Sequence, residues 1–187
     1  LKGFTSMSEG MTPQGLVKVM NRYLSIMSEP IRTNRGIIDK YLGDGIMAFF
    51  GCPTAYEDQA ARAIRAGLEA IAAIKALEVE AVGAICSRIA IATGEVVVGD
   101  LSSSGRQEGA IAGRTPNFAA RLQQCAGSDQ LVIDEATRLL VGQAFDVSDH
   151  GRHAFKGFDG DVRVFRVDGV RDADVPAPER SGDRLRD

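Results

Sequence analysis

Four stretches of this chain carry side chains whose types and spacing suit chemistry on an anionic, metal-bound ligand. In Lys40-Tyr41-Leu42-Gly43-Asp44-Gly45 a carboxylate sits between two glycines. Glycine allows a tight turn, so Asp44 would be held exposed where a cation and its ligand can approach. Asp-Gly is also a common turn, and from this segment alone the turn reading outweighs the metal reading. In Gly113-Arg114-Thr115-Pro116-Asn117-Phe118-Ala119-Ala120-Arg121-Leu122, Asn117 and Arg121 are four apart and share one helix face. An amide beside a guanidinium suits an anion, although most helices have a polar face. Lys2-Gly3-Phe4-Thr5 offers small residues and backbone N–H groups before a helical stretch, a way to cradle phosphates. Lys156, in Phe155-Lys156-Gly157, is a further cation, of a kind usually solvated.

The elements that must position these residues follow from periodicity. Thr12-Pro13 reads as an N-cap and first helical residue. Leu16, Val17, Met20, Tyr23, Leu24, Met27 and Ile31 keep a helical period, and the helix should stop before Gly36. Met20 and Met27 fit core or dimer contacts better than a cofactor face. Ile37 to Leu42 and Ile46 to Phe50 flank Gly43-Asp44-Gly45 and predict a hairpin. Glu57-Asp58 opens a second helix bearing Ala61, Ile64, Leu68, Ile71 and Ile74 on one face. Strands are predicted over Arg88 to Thr93, Val96 to Val98 and Ala110 to Ala112, with a Ser- and Gly-rich loop from Leu101 to Gly105. A third helix follows from Pro116 to Gln124. A strand over Leu131 to Ile133, a helix over Glu135 to Leu140, and strands over Ala144 to Val147 and Val162 to Val167 complete the pattern. Helices alternating with hairpins predict an α+β fold. His150-x-x-His153 has no Cys or further His beside it, so it reads as a surface loop rather than a metal site.

Length and composition bound the function. The 187 residues are 44% hydrophobic and 25% charged, enough for one domain with a sizeable core. The net charge of −3 gives no electrostatic footprint for nucleic acid as a primary partner. No apolar run is long enough to span a bilayer. Three widely spaced cysteines (Cys52, Cys86, Cys125) form no C-x-x-C pair, so neither a disulfide framework nor a zinc site is indicated, and a reducing, cytoplasmic setting is the simplest expectation.

Taken together and in order, these segments resemble the catalytic domain of class III nucleotidyl cyclases, in a form similar to a bacterial branch often joined to regulatory or ATPase modules. The matching stretches are Gly3-Phe4-Thr5 with Ser8-Glu9, Lys40 to Gly51, Glu57-Asp58 to Gly67, Thr93-Gly94 to Gly99, Gly113 to Leu122, and Lys156-Gly157. The resemblance implies a ferredoxin-like βαββαβ core with extra strands and helices, over residues 1–168, followed by a polar, Pro-containing tail over 169–187 that is expected to be mobile. It implies conversion of ATP to 3′,5′-cyclic AMP and pyrophosphate, by in-line attack of the ribose 3′-hydroxyl on the α-phosphorus.

The resemblance also implies roles. Two Mg²⁺ or Mn²⁺ ions would lie between the triphosphate and two aspartates, of which Asp44 matches the second. The first is expected one residue before Leu1, so the first strand would begin upstream. The backbone of Gly3, Phe4 and Thr5 would wrap the β- and γ-phosphates. Asn117 would orient the ribose, Arg121 would stabilise charge on the transferring phosphorus, and Lys156 would contact the terminal phosphates. Arg106 falls where some members place another phosphate-binding base. Lys40 matches the position that faces adenine N1 and favours ATP over GTP. The second base-reading position falls on Ala110, whose side chain accepts nothing; with a slip of two residues Glu108 would serve. In the family the Asp44-type residue comes from one subunit, and the Lys40-, Asn117-, Arg121- and Lys156-type residues from the other, so a homodimer would hold two shared sites. Two alternatives follow: a degenerate, non-catalytic nucleotide-binding or regulatory module, and a guanylyl or dual-specificity cyclase. The Gly-Gly-Asp/Glu-Glu-Phe signature of diguanylate cyclases is absent.

Overall fold

The computed structural model describes residues 10–79, 83–99 and 111–171. Helix α1 spans Pro13–Thr33, and its N-cap is the expected Thr12, whose Oγ1 accepts the Gly15 N–H at 3.2 Å. Tyr23 is buried on this helix, whereas Val17, expected on the apolar face, is exposed. Strands β1 (Ile37–Leu42) and β2 (Gly45–Phe49) pair antiparallel, with Leu42 opposite Gly45. Gly43 closes the turn at φ +62°, a left-handed conformation that glycine adopts without a Cβ penalty.

Helix α2 (Gln59–Lys75) follows Asp58, which ion-pairs with Arg62 at 2.7 Å rather than capping the helix through its side chain. Its buried face is mostly small: Ala60, Ala63, Ala66, Gly67 and Ala70 alternate with Ile64, Ile71 and Ile74. The next elements are the two-residue strands β3 (Glu78–Val79) and β4 (Gly83–Ala84), which the sequence pattern does not signal, and β5 (Arg88–Ile91). Then come β6 (Val97–Val98), β7 (Ile111–Ala112), helix α3 (Arg114–Leu122), β8 (Gln130–Asp134), helix α4 (Glu135–Val141), β9 (Phe145–Ala154) and β10 (Asp161–Val170). Helix α3 begins two residues earlier than expected and finishes in a 3₁₀ turn over Gln123–Cys125.

The main sheet has the order β5-β8-β10-β9, with β5 and β8 parallel and the other pairs antiparallel. Strand alternation divides its core between two faces. Leu131 and Ile133 pack with Ile64 and Ile71 of α2, while Val132 between them packs with Leu122 of α3 and with Phe155 and Val164. Strands β9 and β10 run well beyond the apolar stretches that signal them. Their outer halves are polar and held by cross-strand contacts such as Arg163 Nη2 to Asp149 Oδ2 at 2.6 Å. His150 and His153 therefore lie on β9, not in a surface loop. Each ring is anchored through Nε2 to a main-chain carbonyl, that of Cys125 at 3.0 Å and of His150 at 2.9 Å. Among the described residues no helix is long and apolar enough to cross a membrane.

Candidate functional site

Of the residues singled out in the sequence, Lys40, Asp44, Asn117, Arg121 and Lys156 are described; Gly3, Phe4, Thr5, Arg106, Glu108 and Ala110 lie outside the described residues. The five fall on two bodies. Lys40 and Asp44 sit on the β1–β2 hairpin. Asn117 and Arg121 sit on α3, and Lys156 in the β9–β10 turn.

Helix α3 and the β9–β10 turn are joined by aromatic packing. Phe118 meets Phe155 edge-on, with ring centroids 5.5 Å apart, and Phe158 at 5.0 Å. Two guanidinium groups lie over the Phe158 ring, Arg114 at 4.7 Å and Arg121 at 5.9 Å from its centroid. A cation over an aromatic face is attracted by the ring quadrupole, so Phe158 restrains the arginine without neutralising it. The exposed Lys156 is two residues away in the same turn. Asn117 donates from Nδ2 to the Gly113 carbonyl at 3.2 Å, which fixes its amide near the start of the helix. This start is set in turn by Thr115, whose hydroxyl donates to the Glu95 carbonyl at 2.7 Å. Gly94 lies so close to Thr115 that a Cβ there would come within 2.6 Å of its hydroxyl oxygen.

On the hairpin, Asp44 lines a cavity of about 350 Å³ whose walls are β2 on one side and β5 on the other, with the small residues of α2 between them. Among the described residues, β2 pairs with β1 alone and β5 with β8 alone, so both strands present an edge to this space. The buried Tyr23 is also in the wall. Burial first, and then the negative charge of Asp44, push its phenol up to about 12. Thr115, Pro116, Ala119 and Gln123 of α3 reach the same cavity. At 3.6 residues per turn the centre of that group lies roughly 160° around the helix from the centre of the Asn117–Arg121 pair. Within one chain, α3 therefore turns its amide–guanidinium face away from the cavity that Asp44 lines.

Asp39 is the site-region residue that motif reading passes over. It precedes Lys40 in β1 and is buried, with 3% exposure. Its signal was a carboxylate directly after Ile37-Ile38 in a strand that must cover the core.

Asp44 offers a hard oxygen donor at a turn. That fits a divalent cation that keeps most of its waters and takes one or two carboxylates together with substrate phosphates. Among the described residues no group of three or more His, Cys, Asp or Glu side chains could form a complete metal cage.

Residues 1–169 match the adenylate and guanylate cyclase catalytic domain, and the chain belongs to that family. It is 33% identical to the guanylyl cyclase Cya2, whose crystal structure superposes with a TM-score of 0.84 over 92% of this chain and 90% of that one. It is 30% identical to the adenylyl cyclase CyaB from P. aeruginosa, with a TM-score of 0.80 over 91% of each chain. An adenylate cyclase of Anabaena cylindrica is 32% identical over 146 residues, covering 75% of this chain and 29% of that protein. The chain spans less than a third of the length of the curated relatives it matches. The α+β architecture matches these cyclase domains, as the sequence predicted.

Proposed function

We propose that the chain is the catalytic domain of an adenylyl cyclase that works as a homodimer, turning ATP into 3′,5′-cyclic AMP and pyrophosphate. The observation that carries this reading is the opposed orientation of α3. Asn117 and Arg121 face away from the cavity beside Asp44. This arrangement agrees with the sharing that the family resemblance implies, in which the two groups come from two chains and a two-fold axis creates two equivalent sites. ATP as the base donor is favoured by Lys40, and adenylyl cyclases are among the relatives.

In this reading Asp44 would help hold two Mg²⁺ or Mn²⁺ ions, which would supply positive charge against the triphosphate and ease deprotonation of the 3′-hydroxyl. Arg121 balances the charge that grows on the α-phosphoryl oxygens, in a site where a preoriented guanidinium needs no reorganisation. Asn117 positions the ribose through its fixed amide. Lys156 meets the terminal phosphates as a point charge, and the backbone at Gly3, Phe4 and Thr5 wraps them.

The decisive experiment mixes an Asp44→Asn chain with an Arg121→Ala chain, each extended upstream to include the aspartate expected before Leu1, and measures cyclic AMP from Mn-ATP. Each variant alone is expected to keep about 1% of wild-type activity or less, and their heterodimer to regain one intact site. A mixture that stays inactive while dimerising would overturn the shared-site reading. A wild-type chain carrying the same upstream extension that binds ATP without turnover would point to a regulatory module. A second reading, a guanylyl or dual-specificity cyclase, is favoured by one observation: Ala110 brings no side-chain acceptor for the adenine amino group, and the guanylyl cyclase Cya2 is a relative. Parallel assays with GTP separate the two.

A further inference from the structure

The first strand carries a carboxylate with no assigned task. Asp39 is 3% exposed, and its side chain is wholly covered. In a regular strand Asp39 and Lys40 would point to opposite faces. Here the β1–β2 register shifts between Ile38 and Lys40, so Asp39 is an extra residue with no cross-strand partner. A bulge of this kind re-aims a side chain. Its result is that Lys40 Nζ comes to 3.2 Å from Asp39 Oδ2. Oδ2 makes no directed hydrogen bond, so the half-exposed ammonium is its charge partner. The other oxygen, Oδ1, accepts the backbone N–H of Ile111 at 3.1 Å. Ile111 opens β7, which leads through Gly113 into α3.

We propose that Asp39 is a positioning residue for base recognition: one carboxylate oxygen holds the Lys40 ammonium, and the other holds the backbone beside residue 110. This inference rests on the adenylyl cyclase reading of Lys40 and Ala110. A buried carboxylate is costly unless paired, so the fold has reason to keep both contacts. An ammonium has three donors and no acceptor. Asp39 holds the ammonium by charge at 3.2 Å and leaves its donors available to the purine edge. A free lysine on a four-carbon stem would have to be ordered anew by each substrate. Through Oδ1 the same group ties the hairpin to the strand that follows residue 110. Lys40 and the backbone of Ile111 are thereby held to one carboxylate.

The test uses Asp39→Asn, Lys40→Ala and the double variant in the full chain, with ATP and GTP as substrates. Asparagine keeps an acceptor for the Ile111 N–H and removes the charge from Lys40. The expected result is a rise in KM for ATP and a fall in the ATP:GTP preference, each about tenfold, with a smaller change in kcat. In the Lys40→Ala background Asp39→Asn should then change neither quantity further. A merely structural carboxylate would act equally in both backgrounds, and that outcome would overturn the proposal, as would an unchanged KM and preference in Asp39→Asn. Mass-spectrometric acetylation of Lys40 reads the pairing without catalysis. The rate should rise severalfold in Asp39→Asn, and an unchanged rate counts against the ion pair. If the wild-type chain, extended upstream to include the aspartate expected before Leu1, forms no cyclic nucleotide while Lys40 labelling responds to Asp39→Asn, it is the cyclase reading that fails and not the pairing.

Discussion

Arg121 lies 5.9 Å from the centre of the Phe158 ring, and Phe158 is two residues from Lys156. The helix that carries the guanidinium and the turn that carries the ammonium are therefore one packed unit, built on Phe118, Phe155 and Phe158. Replacing Arg121 by Ala is expected to lower kcat by about 10²–10³, the loss typical of one preorganised charge-stabilising donor. Phe158→Leu keeps the charge and removes the aromatic face. It should cost roughly tenfold or less. Steady-state kinetics on both variants checks the order of the two effects.

Base choice should respond to an acceptor at residue 110. Ala110→Asp supplies a carboxylate for the adenine amino group and should raise the ATP:GTP ratio of kcat/KM by about tenfold or more, since a site built to pair a polar group rejects a base that leaves it unpaired. Turnover of the two triphosphates measured side by side decides this.

Alkaline stability should report Tyr23. Its phenol, buried and near Asp44, ionises at about 12 in the fold against an ordinary value of 10.0. Between these values the unfolded chain has lost the proton that the fold retains, so stability is fully present below pH 10 and falls as pH rises towards 12. The slope is about 1.4 kcal/mol per pH unit, for a total on the order of 3 kcal/mol. Urea unfolding from pH 9 to 12 should show this excess loss in the wild type and not in Tyr23→Phe.

Gly67 marks where α2 meets β8. A Cβ there would lie 2.3 Å from Leu131 Cδ1, and Leu131 is 1% exposed. Gly67→Val is expected to destabilise the domain by about 1–3 kcal/mol through overpacking. That corresponds to a Tm lower by roughly 2–10 °C for a domain of this size, measurable by thermal denaturation.

Elements with a clean period were legible in the sequence. Thr12-Pro13, the Gly43-Asp44 hairpin and the apolar face of α2 appear where local chemistry puts them. Less legible were features decided by partners distant in the chain. The polar outer halves of β9 and β10 are strands because Arg163 meets Asp149 and other cross-strand pairs form, contacts that no local window contains. The site shows the same division. Lys40, Asp44, Asn117, Arg121 and Lys156 stood out by motif, but which of them share a body depended on the rotation of α3 and on the Phe118 cluster. Asp39 showed in the sequence only as a carboxylate after Ile37-Ile38, because its meaning lies in a register shift and in a backbone N–H at residue 111.

The two faces of α3 carry a kinetic consequence. On the proposed reading a lone chain has the parts of two half-sites and no complete one, so catalysis obeys mass action in the chain itself. Below the dimerisation constant, specific activity should fall in proportion to dilution, and above it should level off. The domain corresponds to only a fraction of its relatives' length. A neighbouring module that tethers or separates two copies would set their effective concentration and thereby the cyclic nucleotide output, without touching a catalytic side chain. Activity followed across a dilution series, alongside mass measurements of the same samples, would show the two curves moving together.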